Sequence, residues 1–249
     1  MKVLVTFAVP TEFAPWRMRR GFREGQDSVY WARMGAADLR VVLTGVGPEH
    51  AARAVRAVMN ERPDVCISSG FAGALRPEHP VGRVLVAGAV RFRGSEMELR
   101  ADEQLVELAV RCGAHPAARF CTSGTLAQTA VEKTELGCVA DAVEMESYAV
   151  LAEAARQHIP AVAIRIVSDA AGTDLPYDFT RARDAAGQIR LAGVLAQIAR
   201  RPQRVPALLR LSRDCMHAAE DIAAFLDRYV GAWQMALTES EAAYEVAAT

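Results

Sequence analysis

Three carboxylates stand where short apolar runs end. Glu12 lies just past Val3–Ala8, Glu146 just past Val143 in the stretch Glu144-Met145-Glu146, and Asp169 at the end of Val162–Ser168. Glycine turns close two more runs, Gly45-Val46-Gly47 after Leu39–Thr44 and Gly70-Phe71-Ala72-Gly73 after Val65–Ser69. In a parallel α/β sheet, ligands collect at the carboxyl ends of the strands. The three acids and two glycine turns are therefore expected on one sheet edge. Such a set suits chemistry on a sugar. Cleaving a ribosyl C–N bond needs an acid for the leaving base, a group that activates the attacking oxygen, and anchors for the hydroxyls. Its transition state is cationic at the sugar, which surrounding carboxylates stabilise. Helix capping is the plainer alternative for Glu12 and Asp169.

Other chemistries fit less well. Gly45-Val46-Gly47-Pro48-Glu49-His50 begins like a dinucleotide fingerprint, but His50 stands where the third glycine belongs. No acid follows at ribose-binding distance in the right context. Ser68-Ser69-Gly70 is not a nucleophile elbow. Cys66, Cys112, Cys121, Cys138 and Cys215 are scattered and never form a C-x-x-C pair, and the five histidines are equally dispersed. Neither a protein-ligated metal nor an organic cofactor is expected, and each thiol sits among apolar neighbours, where free cysteine behaves as a small buried hydrophobe.

The elements that must position these residues alternate short β-type runs with amphipathic stretches, as in an α/β domain with a largely parallel sheet. Strands are expected at Val3–Ala8, Val29–Met34, Leu39–Thr44, Val65–Ser69, Gly82–Phe92, Arg119–Thr122 and Val162–Ser168. Helices are expected at Thr11–Arg20, Pro48–Asn60, Asp102–Cys112, Ala127–Leu136, Ser147–His158 and Ala185–Arg200. Arg201-Pro202-Gln203-Arg204-Val205-Pro206 interrupts this pattern, and Ala207–Ala236 then reads as a helix with an apolar stripe from Leu208 to Trp233. Arginines at 200, 201, 204, 210 and 213 precede a more acidic stretch. The stripe is expected to pack on the domain or on a partner subunit; a basic surface touching lipid is the sharper alternative.

Composition bounds the classes. The 249 residues are 51% hydrophobic and carry a net charge of −1, which removes the general electrostatic case for a nucleic-acid binder. A chain of this length buries roughly 70–75% of its unfolded surface and needs no disulfide or metal to fold. No run of 18 apolar residues suggests a membrane span, and Met1-Lys2-Val3-Leu4-Val5 enters a strand directly without a cleavage site. A cytoplasmic protein is expected. Only two of the 29 basic residues are lysine, Lys2 and Lys133, an arginine bias most simply read as codon usage.

Three segments together resemble the nucleoside phosphorylase and nucleosidase superfamily, in particular its methylthioadenosine/S-adenosylhomocysteine nucleosidase-like members. They are Thr44-Gly45-Val46-Gly47, Ser69-Gly70-Phe71-Ala72-Gly73-Ala74-Leu75, and Val143-Glu144-Met145-Glu146 with Arg165-Ile166-Val167-Ser168-Asp169. Their order and spacing cover about residues 1–195. The resemblance implies a three-layer α/β sandwich with a central mixed, largely parallel sheet, spanning residues 1–200, with residues 201–249 as a helical extension. It implies that Glu146 holds the ribose hydroxyls, Met145 packs beneath the sugar, and Asp169, oriented by Ser168, is the acid at the purine N7. Glu12 resembles the nucleosidases' early glutamate that activates water, and Gly70, Phe71, Ala72 and Gly73 line the nucleophile side.

Departures refine this. The phosphorylases typically carry an arginine where Ser68 stands and a Gly-Asp-Pro-x-Arg-type loop where Val9-Pro10-Thr11-Glu12 stands. Both differences favour water over phosphate, although Arg17, Arg19 and Arg20 are candidates for a phosphate site. Ser123-Gly124-Thr125-Leu126-Ala127 lacks the aromatic of the nucleosidases' base-binding segment, which leaves adenine specificity open. The stretch from Ala199 to Leu211 is similar to the C-terminal extension of the hopanoid-associated phosphorylase branch, whose members release adenine from adenosylhopane. The expectation is cleavage of a purine nucleoside bearing a 5′-substituted ribose, by a homodimer or higher oligomer, with peripheral membrane contact through the tail. Phosphorolysis is the first alternative, and a non-catalytic nucleoside-binding protein the second.

Overall fold

The apolar runs at the start of the chain form the parallel centre of the sheet. In this computed structural model residues 1–177 and 202–247 are described, with side chains of the last segment from 203 to 236. The strands are β1 (Lys2–Phe7), β2 (Arg23–Glu24), β3 (Val29–Met34), β4 (Ala37–Leu43), β5 (Val65–Ala74), β6 (Val84–Phe92), β7 (Glu98–Arg100), β8 (His115–Thr122), β9 (Ala142–Glu144) and β10 (Ala161–Asp169). The helices are α1 (Pro10–Arg20), α2 (Pro48–Val58), α3 (Glu103–Arg111), α4 (Ala130–Gly137), α5 (Ser147–Arg156) and α6 (Val205–Ala247). The expected helix Ala185–Arg200 lies outside the described residues.

Strands β4, β1, β5 and β10 run parallel side by side. Antiparallel β3 extends the β4 margin, and β6 lies antiparallel to β10. Because β9 also pairs with β5, and β8 bridges β9 and β6, the strands around β5 curl back on themselves. The sheet is thus mixed with a parallel centre. The short strands β2, β7 and β9 carry too few residues for a periodic signal. Strand β5 runs past Ser69 through the glycine turn to Ala74.

Period-two alternation sends the side chains of β1 to two layers. Val3, Val5 and Phe7 join one core with Phe13 and Trp16 of α1, Leu105 and Leu108 of α3, and Phe225 and Tyr229 of α6. Leu4 faces the other core, with Ala51 and Val55 of α2 and Val150 and Ala154 of α5. Helices therefore cover both sheet faces, giving three layers.

The stripe on α6 is buried in the first core: Ile222, Phe225, Leu226 and Tyr229 are each 0% exposed. The Tyr229 hydroxyl donates to the Leu105 carbonyl at 3.0 Å. Trp16 Nε1 and Arg20 Nε both donate to Asp227 Oδ1, at 2.7 and 2.6 Å, joining α1 to α6. No helix among the described residues is long and apolar enough to cross a membrane. The thiols follow expectation only in part: Cys66 and Cys121 are buried, Cys112 and Cys215 are half-buried, and Cys138 at the end of α4 is exposed. Capping explains the late start of α4. Thr129 accepts from the Glu132 amide at 3.2 Å while Glu132 accepts from the Thr129 amide, which sets the first turn at Ala130 rather than Ala127.

Candidate active site

Every strand end singled out above opens into one cleft of about 370 Å³. Glu12, Phe71, Ala72, Gly73, Met145, Glu146, Ser168 and Asp169 all line it, together with Val46 from the first glycine turn. Gly70 is not on its wall and sits behind Glu12. Its φ of +136° is a conformation that side chains rarely adopt, and a Cβ there would lie 2.6 Å from both Glu12 Oε1 and Arg165 Nη1. Gly73 is similarly constrained, since a Cβ would lie 2.9 Å from Asp169 Oδ2.

Glu12 does what capping predicts and more. Its Oε2 accepts from the amides of Ala8 and Val9 at 2.8 and 3.1 Å, closing the first turn of α1. Its Oε1 reaches across to the Phe71 amide at 2.8 Å and so links α1 to β5. Burial pushes its carboxyl above the usual carboxylate range, while Arg165 and the three amides pull it back.

Glu146 begins α5 and is 5% exposed. Its Oε1 accepts from the Gly47 amide at 2.9 Å, which fastens the first glycine turn to the site. Burial raises its carboxyl to about 7, against the lowering effect of Arg165 and with further raising by Glu144 and Glu12.

Beneath these acids lies a buried network that the sequence reading did not assign. Glu144 Oε2 accepts from the Glu146 and Ser147 amides at 2.9 and 2.7 Å, at the positive end of α5. Arg165 Nη2 donates to Glu144 Oε2 at 2.6 Å and to Ser68 Oγ at 3.1 Å, and lies 3.5 Å from Glu146 Oε2. Arg165 Nη1 donates to the Ser69 carbonyl at 2.8 Å. One buried guanidinium thus faces Glu12, Glu144 and Glu146, leaving negative charge in excess at the cleft floor.

Asp169 ends β10. Ser168 Oγ donates to its Oδ1 at 2.7 Å, and Lys133 Nζ lies 2.5 Å from its Oδ2. Lys133 was missed because a single lysine on a short helix carries no periodic signal, although its rarity in this chain was a usable clue. The far wall comes from α6, with Leu211, Ser212, Cys215 and Met216, and from Leu126 and Leu175. Burial together with Asp169 and Glu12 pushes the Cys215 thiol up to about 12, so it is an uncharged wall residue at neutral pH. Arg17, Arg19 and Arg20 point elsewhere and pair with Glu24, Glu220 and Asp227. No group of three or more His, Cys, Asp or Glu among the described residues is arranged to hold a metal.

A larger groove of about 560 Å³ opens at the other end of β1 and β4, lined by Lys2, Arg23, Trp31 and Arg40. Arg40 stacks over Trp31 at 3.8 Å and pairs with Glu61, and Arg33 faces Asp38 at 3.9 Å. It contains none of the acids discussed above.

A three-layer α/β fold with acids gathered at the strand ends defines a class of small-molecule enzymes, and comparison with known proteins places the chain within it. The family model described as "Phosphorylase superfamily" matches residues 3–200, and the chain belongs to that superfamily as an enzyme of the nucleosidase and nucleoside phosphorylase group. It is 26% identical over 175 residues to a 5′-methylthioadenosine/S-adenosylhomocysteine nucleosidase of Pseudoalteromonas translucida, covering 60% of this chain and 74% of that one. Two solved folds are similar across nearly their whole length. The Campylobacter jejuni 5′-methylthioadenosine/S-adenosylhomocysteine nucleosidase matches with a TM-score of 0.71 at 18% identity, over 92% of this chain and 98% of that chain. The futalosine hydrolase of Helicobacter pylori, as a mutant, matches with a TM-score of 0.71 at 16% identity, over 93% and 99%.

Proposed function

We propose that this enzyme hydrolyses the N-glycosidic bond of a purine nucleoside, adenine being the favoured base, whose ribose carries an apolar 5′ substituent. The observation that carries this reading is one cleft into which Glu12, Glu146 and Asp169 all face, with no lysine or arginine on its wall among the described residues. Phosphate as co-substrate calls for a cation at the nucleophile side. The arginines of α1 that were candidates for that task are paired on another surface. Water fits the wall better.

In this mechanism Glu146 accepts the ribose hydroxyls and Met145 packs beneath the sugar. Asp169, held by Ser168, takes up a proton from solvent and passes it to the departing base at N7, and the proton that Glu12 collects is returned to solvent before the next turnover. Glu12 takes a proton from the attacking water. The burial that raises its carboxyl makes it a better proton acceptor than an exposed glutamate. As the C–N bond lengthens, positive charge develops on the sugar, and the surplus of buried carboxylates over the single Arg165 stabilises it without solvent reorganisation. The backbone of Phe71, Ala72 and Gly73 walls the nucleophile side.

The helix α6 supports the finer part of the reading. Leu211, Cys215 and Met216 give the cleft an apolar flank, and Met216, 60% exposed, carries it to the surface. A lipid-linked 5′ group such as that of adenosylhopane suits such a flank, with the chain working as a homodimer at a membrane surface. The test is base release from a panel of 5′-substituted adenosines, including a long-chain alkylthio derivative, with and without inorganic phosphate. Release independent of phosphate and faster with the longer chain is expected. Strict phosphate dependence overturns the hydrolytic mechanism. A protein that binds every member of the panel but turns over none is a nucleoside-binding protein.

A further inference from the structure

Lys133 sits directly behind Asp169. It is one of two lysines in the chain and is 0% exposed. An ammonium has three donors and no acceptor, and here each donor has one partner: Asp169 Oδ2 at 2.5 Å, the Ala170 carbonyl at 2.8 Å and the Thr173 carbonyl at 2.9 Å. With Ser168 Oγ on Oδ1 at 2.7 Å, both oxygens of Asp169 are held. The carboxyl plane is fixed from two sides while its edge still lines the cleft. A buried charge without a partner costs several kcal/mol, so Lys133 and Asp169 hold each other in place. The tripod of acceptors suits lysine rather than arginine, because a planar fork cannot meet three converging oxygens as a point charge does.

We propose that Lys133 is a positioning residue for departure of the base: it fixes the rotamer of Asp169 and thereby sets the rate of leaving-group assistance. This rests on the reading of Asp169 above as the acid at the purine. Lys133 does not touch the substrate and transfers no proton. Its contribution passes through the orientation of one carboxyl, so it shows in kcat more than in KM. A misplacement of about 1 Å at such a group costs on the order of 100-fold in rate.

The test compares a purine nucleoside with its N7-methylated form, whose base is already cationic and leaves without protonation. Lys133→Met is expected to lose about 100-fold in kcat on the unmodified nucleoside, with a loss below about 10-fold on the N7-methyl substrate, the limit set by removing an acid that contributes at least 100-fold. Lys133→Gln, which keeps a donor in the same space, serves if Lys133→Met does not fold. In Lys133→Ala, added ethylammonium is expected to restore part of kcat with KM unchanged. Equal losses on the two substrates in a folded variant would reduce Lys133 to a staple of the 170–173 turn and overturn its role while leaving the nucleosidase reading intact. A wild-type enzyme inert on both substrates overturns that reading and this proposal together.

Discussion

Arg165 Nη2 and Glu144 Oε2 lie 2.6 Å apart with both side chains shut away from solvent, at 1% and 0% exposure. Glu144 reaches the cleft wall and Arg165 lies behind it; the pair sits under Glu12 and Glu146 and ties β9, β10 and α5 into one block. Removing one partner of a buried pair leaves an uncompensated charge. Arg165→Met is expected to lower unfolding free energy by about 3–5 kcal/mol. Denaturant unfolding measures it, and a loss below about 1 kcal/mol would show that the other donors around Glu144 suffice.

Gly70 tests the same block from the backbone side. A methyl group there meets Glu12 Oε1 and Arg165 Nη1 at 2.6 Å, and φ of +136° adds strain. Gly70→Ala is expected to destabilise the protein by more than about 1 kcal/mol and to push Glu12 off the Phe71 amide. Activity should fall further than stability alone explains, by on the order of 10-fold or more at temperatures where the variant is fully folded. Activity that tracks the folded fraction would separate Gly70 from the position of Glu12.

Glu146 supplies a pH prediction. Its carboxyl rises from 4.5 to about 7 on folding, so between these values the folded state binds more protons than the unfolded one. Stability contributed by this group therefore falls as pH rises through that window. Glu146→Gln is expected to melt higher than the wild type at about pH 8, by on the order of 1 kcal/mol, with the difference gone near about pH 4.5. Its nucleoside affinity should fall at the same time, because the hydroxyl acceptor has lost its charge. A variant less stable than wild type at pH 8 contradicts the assigned direction.

Glu12 carries the prediction for the nucleophile. Glu12→Gln keeps an acceptor for the amides of Ala8 and Val9 but cannot take a proton from water. A loss of about 100- to 10,000-fold in kcat is expected at temperatures where the variant is fully folded, the amide nitrogen of the new side chain facing the Phe71 amide. Full activity in this variant would remove Glu12 from the chemistry and leave it as a cap.

The flank on α6 is tested by substrate preference. Leu211 is half-buried on the cleft wall. Leu211→Ala is expected to reduce kcat/KM for a long apolar 5′ substituent by roughly 10- to 100-fold and to leave adenosine itself almost unaffected. A uniform loss across the panel would place the 5′ group elsewhere.

Much of the architecture was legible in the sequence because local pattern encodes it. The continuous apolar runs at Val3, Val65 and Val162 read as strands covered on both faces, and Pro48 after Gly47 marked the start of α2. The acids at strand ends were likewise visible, since chain position along β1, β9 and β10 fixes which edge Glu12, Glu146 and Asp169 occupy. What tertiary structure alone decided is which charges meet. Lys133 and Asp169 are 36 residues apart, and Arg165 and Glu144 are 21 apart. Their pairing depends on how β9 and α4 return to the end of β10, and no periodicity records that. The same holds for α6, whose apolar stripe is plain in the sequence, although only packing against α1 and β10 brings Leu211 and Cys215 to the cleft. Hydrophobic period dictates the elements because each residue's contribution is local and additive along the chain; the electrostatics of the site depend on through-space distances that the folded sheet creates.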